Sequence, residues 1–283
     1  MKLKKFLTFG ISAMMAFTAL TGCSGQTTTT TTDTESAAVS DSSSDDNVIT
    51  MATNAAFEPF EYVDDNNHIV GYDIVVADKI AKSLGKELEI QNIDFDALIP
   101  ALSSGIADFV IAGMTVTEER QANVLFSDPY FEASQVIIVK DGDTAITGAD
   151  SLAGAKVAVQ EGTTGDIYVT DELGVQTVSR FKKAVDCAQD LLAGGSDAVV
   201  IDNQVAQNLV SSTEGLVILP EVLTTEEYAI AVDKDNAELQ AQINEVLQQL
   251  KADGTLDKAR QAYIEGDEAV QAELEADLST VTE

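Results

Sequence analysis

A chain of 283 residues with 45% hydrophobic composition can bury one large core or two modest ones, which sets aside disorder along its whole length. The 16 Lys and Arg stand against 48 Asp and Glu, a formal net charge of -32 that repels phosphate backbones and anionic membrane surfaces and so excludes nucleic acid as a partner. The same excess serves solvation and names no ligand by itself.

Lys2, Lys4 and Lys5, followed by the apolar residues 6–20, read as a secretory signal peptide over residues 1–22, short for a transmembrane helix. The segment closes on LTGC, residues 20–23, which resembles the lipobox of bacterial lipoproteins, where Cys23 carries the lipid and becomes the mature N-terminus. A plain signal peptide with a chance cysteine is the competing reading. With Cys23 lipidated, Cys187 has no disulfide partner and reads as a small buried hydrophobe. The stretch after Cys23 is nearly all Ser, Thr, Asp and small residues, too poor in apolar groups to fold, so residues 23–47 read as a tether.

Order is expected from VITMAT, residues 48–53. Apolar runs of strand length then alternate with helical patterns, the signature of parallel sheets covered by helices, so the fold class is α/β. Buried strands are predicted at DFVIAG (residues 108–113), QVIIVK (135–140), KVAVQ (156–160) and DAVVID (197–202). Val76, Ile80 and Leu84 share one helix face before a stop at Gly85, and Leu239, Ile243, Val246 and Leu250 share another before Gly254. Residues 266–283 form an acidic C-terminal tail whose order the sequence leaves open.

No nucleophile elbow, phosphate loop or dinucleotide fingerprint occurs, and the single histidine, His68, lies in the turn-like DDNNH, so neither a catalytic residue nor a metal or cofactor is expected. Binding groups are more evident. Arg120 sits in the first turn of a predicted helix, where the macrodipole disfavours a cation and a capping box opened by Thr117 asks for Glu or Gln. It follows the strand ending in Gly113, with Thr115 and Thr117 between, so amides, hydroxyls and a planar guanidinium converge on a site suited to a carboxylate. KVAVQ runs into EGTTGD, where Gly162 permits a tight turn and Thr163 or Thr164 caps a helix. A third strand ends in Asp202, at the edge where open α/β sheets bind ligands. Taken singly, Arg120 in a surface ion pair, Asp202 as a helix cap and Phe57, Phe60 and Phe95 as core aromatics are the competing readings.

Four stretches in order, TNAAFEPFEY (53–62), GYDIVVADKIAKSLG (71–85), FDALIPALSSGIADFVIAGMTVTEER (95–120) and FSDPYF (126–131), together with the looser GAKVAVQEGTTGD and GGSDAVVIDNQVA, make the chain resemble the extracellular solute-binding proteins, family 3, which serve ABC importers of polar amino acids. The resemblance implies the two-lobe fold of periplasmic binding proteins of type II, with two hinge strands and the ligand cleft between lobes. It places lobe one at 48–131 plus 228–265 and lobe two at 132–227. It also implies that Arg120 takes the α-carboxylate of the ligand, helped by Thr115 and the turn at Thr163, and that Asp202 takes the α-ammonium. Phe57 and Phe95 would sandwich the side chain, with Gly113 beside them and Asn54, Gln160 and Ile201 lining the far end. Asn54 cannot neutralise a buried ammonium, so an uncharged polar amino acid such as glutamine is expected, with a basic one as the alternative if Glu58 or Glu161 turns inward. The partners implied are the amino acid, an ABC permease and, through the lipid on Cys23, the membrane. The protein is expected to be a monomer and no enzyme, a dehydratase on the same scaffold being the rival.

Overall fold

The computed structural model describes residues 47–278, so the signal peptide, the lipidation of Cys23 and all but the last residue of the tether lie outside the described residues. From Val48 onward, chemistry and register agree. The β-rich run Val48–Thr53 pairs in parallel with Glu87–Asn92, Val48 opposite Glu87 and Thr53 opposite Asn92, and with Phe109–Val110 on its other side. The first sheet has the order Glu87–Asn92, Val48–Thr53, Phe109–Val110, Ala231–Asp233, Val124–Phe126. The second has the order Thr177–Phe181, Lys156–Gln160, Ala198–Asp202, Gln135–Lys140, Leu216–Val222. The first sheet therefore draws on both ends of the folded region and the second on its middle.

The expectation of parallel sheets needs correction, because each sheet contains a strand that runs against its neighbours. Gln135–Lys140 is antiparallel to Ala198–Asp202 and Leu216–Val222, and Ala231–Asp233 is antiparallel to Phe109–Val110 and Val124–Phe126. The cause is connectivity. A parallel neighbour needs a crossover, usually a helix, to carry the chain back. These two strands instead arrive directly from the other half, through Phe131–Ala133 and Glu226–Tyr228, and so start at the edge where the parallel strands end. The two crossing segments pair antiparallel, Glu226 opposite Ala133 and Tyr228 opposite Phe131.

The Phe131 and Tyr228 end of this ribbon is set in rings. Phe60 packs edge-on against both, with centroids at 4.9 and 5.1 Å, and Tyr72 meets Phe131 at 5.5 Å. Aromatic pairs at such separations add to the area they bury. Tyr72 opens the helix Tyr72–Ser83, which buries Val76 and Ile80 on one face; the chain leaves it through Leu84 and Gly85, whose φ of +70° permits the reversal. Gly71, just before this helix, is required sterically, since a Cβ there would stand 2.1 Å from the Phe60 carbonyl oxygen. The helix Ala237–Ala252 begins at Asn236, whose side chain accepts from the Leu239 amide at 3.2 Å, and it buries Leu239, Ile243, Val246 and Leu250. Cys187 is a core residue, and burial pushes its thiol up to about 12.

The acidic stretch near the C-terminus is ordered as far as it is described. Asp267 accepts from the amides of Ala269 and Val270 to start a helix over Glu268–Asp277, which buries Leu274 and pairs Asp277 with Lys79 and Glu273 with Lys258. Among the described residues no helix is long and apolar enough to cross a membrane.

Candidate ligand cleft

The strand Phe109–Val110 leads into Gly113, whose φ of +51° is left-handed and whose missing Cβ would lie 3.0 Å from Phe57 and 3.3 Å from Tyr228. Its amide donates to Asp73 Oδ2 at 2.8 Å, so that N–H is committed to the protein rather than to a carboxylate from outside. Two residues on, the Thr115 hydroxyl donates to Glu226 Oε2 at 2.7 Å. Thr117 then caps the short helix Glu118–Gln121, its Oγ1 accepting from the amide of Arg120 at 3.2 Å.

Arg120 is 6% exposed, not a surface ion-pair residue. Its Nη1 donates to the carbonyl of Thr115 at 2.6 Å and its Nη2 to the carbonyl of Gly162 at 3.0 Å, while the guanidinium lies 5.3 Å over the ring of Phe95. Burial lowers its pKa, and the charges of Glu226 and Asp202, in that order, oppose the fall. Gly162 belongs to the second half, so this one side chain spans the cleft. A cavity of about 440 Å³ opens beside it, lined by Phe95, Asp96, Glu119, Arg120, Asn123 and Asp171 among others; of the expected ligand residues Phe95 and Arg120 line it, and Asn54, Gln160 and Asp202 do not.

On the second half, Lys156–Gln160 ends in Gln160, whose Nε2 crosses to Asn54 Oδ1 at 3.0 Å. Asn54 in turn donates to the Ile93 carbonyl at 2.8 Å. Gln160 Oε1 is buried and has no hydrogen-bond partner among the described residues. Thr163 caps the helix Thr164–Ile167, accepting from the Asp166 amide at 3.3 Å and donating to the Gln160 carbonyl at 2.8 Å. Its hydroxyl proton is therefore spent on the turn. Ile201 packs in the core, Glu58 is exposed, and Glu161 pairs with Lys182 at 3.0 Å, so neither acid turns inward.

Asp202 stands at the N-cap position of Asn203–Ser212, yet its carboxylate makes no cap hydrogen bond. It accepts instead from the hydroxyl of Tyr228. Burial, then the charge of Glu226, pushes Asp202 up to about 7, against the lowering effect of Tyr228. Phe57 is buried against Phe60 at 6.1 Å, and Phe95, half-buried, faces Arg120. Asn54, Phe57, Phe95, Gly113, Thr115, Arg120, Gln160, Thr163 and Asp202 are thus linked through Tyr228, Glu226 and Gly162 into one network.

Sequence reasoning assigned no role to five buried acids and phenols. Glu226 is one, lost in a strongly acidic chain, and Tyr228 another. Behind Gly113, Asp73 also accepts from Tyr130 Oη at 2.8 Å, and burial pushes it up to about 6. Glu61, fully buried beside it, is driven well above the carboxylate range by burial and then by the charge of Asp73.

The model of bacterial extracellular solute-binding proteins, family 3, matches residues 49–266, and the chain belongs to that family. Membership implies an amino acid ligand and an ABC permease as partners. The chain is similar to a probable histidine-binding protein of Neisseria gonorrhoeae, 32% identical over 279 residues, 96% of this chain and 100% of the relative. It is likewise 32% identical over 270 residues to the arginine-binding extracellular protein ArtP of Bacillus subtilis, 94% of this chain and 100% of the relative. Among solved structures, an ancestral arginine-binding protein bound to arginine is 44% identical with a TM-score of 0.73, over 77% of this chain and 98% of that one. An ancestral arginine-binding protein has also been solved bound to glutamine, again 44% identical, with a TM-score of 0.74, over 77% of this chain and 97% of that one.

Proposed function

We propose that the chain captures an α-amino acid whose side chain carries N–H donors, arginine ahead of glutamine, and delivers it to an ABC permease from a lipid anchor on Cys23. The observation that supports this most is the pair of oppositely charged, buried side chains on facing halves, Arg120 at 6% and Asp202 at 3% exposure. A zwitterion leaving water loses two charge solvations, and an unpaired buried charge costs several kcal/mol, so both poles need charged partners. Arg120 offers a planar fork to the carboxylate and Asp202 an acceptor to the ammonium.

The side chain is read from the Asn54 and Gln160 end. Asn54 is engaged on both sides of its amide, and the unpartnered Gln160 Oε1 is an acceptor waiting for a donor, which both glutamine and arginine supply. Asn54 alone favours an uncharged ligand. The wider charge balance, Arg120 against Asp202 and Glu226, favours a cation, and the arginine-binding relatives point the same way. The binding proteins among its relatives support a receptor rather than an enzyme.

A thermal-shift screen against the common amino acids tests this. A ligand at 100 times its dissociation constant adds about 2.7 kcal/mol of stability, and the wild type is expected to respond to arginine while Arg120→Ala keeps its fold and does not respond. A screen without any amino acid response sinks the reading.

A further inference from the structure

Behind the cleft, in the core of the first half, two carboxyl groups meet. Glu61, on the strand Glu61–Val63, and Asp73, in the first turn of Tyr72–Ser83, are both 0% exposed, and their side chains are in hydrogen-bond contact. The groups that face them are acids and phenols: Asp202, Tyr72, Tyr130 and Tyr228. Arg260 lies over the ring of Phe131 at 4.7 Å, and its charge bears on the phenol of Tyr72. Asp73 Oδ2 accepts from the Gly113 amide and from Tyr130 Oη, each at 2.8 Å. Asp73 Oδ1 and both oxygens of Glu61 are buried and receive no donor from any other described residue. The phenols cannot supply one, since Tyr130 donates to Asp73 Oδ2 and Tyr228 to Asp202. Buried acceptors rarely go without a donor, and two carboxylates in contact repel unless a proton lies between them. Asp73 already takes two donors, which favours its ionised form, whereas Glu61 takes none.

We propose that Glu61 is a positioning residue that carries a proton at neutral pH and donates it to Asp73 Oδ1, so that the ionised Asp73 ties the Gly113 turn to Tyr130, the residue before the crossing strand Phe131–Ala133. The order of ionisation fits: Asp73 is raised only to about 6, while burial and then the charge of Asp73 drive Glu61 well above the carboxylate range. Loss of the proton leaves two anions in contact in the core, and their separation moves Gly113 and Tyr130 with Asp73. The effect on affinity rests on the reading that an amino acid binds beside the Gly113 turn; the place of the proton does not.

The test uses the full chain, Glu61→Gln and Glu61→Leu, followed by infrared difference spectra, by urea unfolding against pH and by calorimetry with arginine. Above pH 7, where Asp73 and Asp202 have ionised, wild type is expected to keep a carboxylic-acid carbonyl band that Glu61→Gln lacks. An acid raised in the folded state contributes stability at low pH that is lost as pH rises towards its folded value. The folding constant of wild type relative to Glu61→Gln is therefore expected to fall about tenfold per pH unit above pH 7 until Glu61 ionises. Gln keeps an N–H for Asp73 Oδ1 and is expected to bind arginine within about twofold of wild type at neutral pH, whereas Leu donates nothing and is expected to bind about tenfold more weakly. Absence of the band or of the slope overturns the proposal, and so does a Glu61→Gln as impaired as Glu61→Leu. Should Glu61→Leu not fold, the band and the slope decide alone. A wild type that binds no amino acid overturns the receptor reading, while the band and the slope still decide where the proton sits.

Discussion

Asp202 is the residue whose chemistry sets a pH window. Its carboxyl is raised from the usual range near ~4 to about 7. For an acid raised in the folded state, the fold holds a proton that the unfolded chain has released, so stability falls as pH climbs from ~4 towards 7 and levels off above. Binding has the opposite sign, because the ammonium of a ligand needs the ionised form. Affinity is therefore expected to drop below pH 7 by up to about tenfold per unit, and Asp202→Asn to bind weakly with that step gone. Calorimetry across the neutral range checks both, and a wild-type profile flat through pH 7 would separate Asp202 from the ligand. Arg120 and Asp202 were visible in the sequence because each breaks a local rule, a cation in a first helical turn and an acid closing an apolar strand. Glu226 breaks none. In a chain with 48 acids it acquires meaning only when Thr115 and Thr164 arrive from distant segments.

At the scale of elements, the turn after Phe109–Val110 is closely packed. Gly113 keeps a left-handed φ of +51° while Phe57 and Tyr228 stand where its side chain would be. Gly113→Ala is expected to cost about 1–2 kcal/mol for the backbone alone, measured by urea unfolding, and to weaken ligand binding further by displacing Phe57. A variant as stable as wild type would show that the turn relaxes freely. The sequence predicted the strands Val48–Thr53, Gln135–Lys140 and Lys156–Gln160 and the faces of Tyr72–Ser83 and Ala237–Ala252, since period and composition are local signals. Strand direction is not local. It depends on which half the chain has just left, and for that reason Gln135–Lys140 and Ala231–Asp233 escaped the parallel reading. The helix Glu268–Asp277 escaped too, because its apolar face amounts to little more than Leu274.

At the scale of the molecule, the halves are joined across the cleft by hydrogen bonds from Arg120 and Gln160 and by one exposed cluster. Lys182 on the second half reaches Asp96 at 2.8 Å and Asp94 at 3.6 Å on the first, while pairing with Glu161 at 3.0 Å on its own. Three acids around one ammonium raise its pKa, hydrogen bonds to Asp96 and Glu161 first. Screening limits what such a cluster contributes, so Lys182→Ala is expected to lower affinity only about two- to fivefold, with high salt reducing the wild type towards the variant. Small-angle scattering of the ligand-free protein should show a larger radius for Lys182→Ala; equal radii and salt-independent affinity would leave the cluster no part in closure.

The connecting ribbon is clamped unevenly. Phe131 and Tyr228 are wedged among Phe60 and Tyr72, whereas Glu226, two residues along, is held by hydrogen bonds from threonine and glutamine side chains. One end of the ribbon is thus held by ring packing and the other by hydrogen bonds alone. Glu226, which accepts from Thr115 of the first half and Thr164 of the second, sits on the ribbon itself, so the chain crossing and the side-chain bonds between the halves meet at one residue.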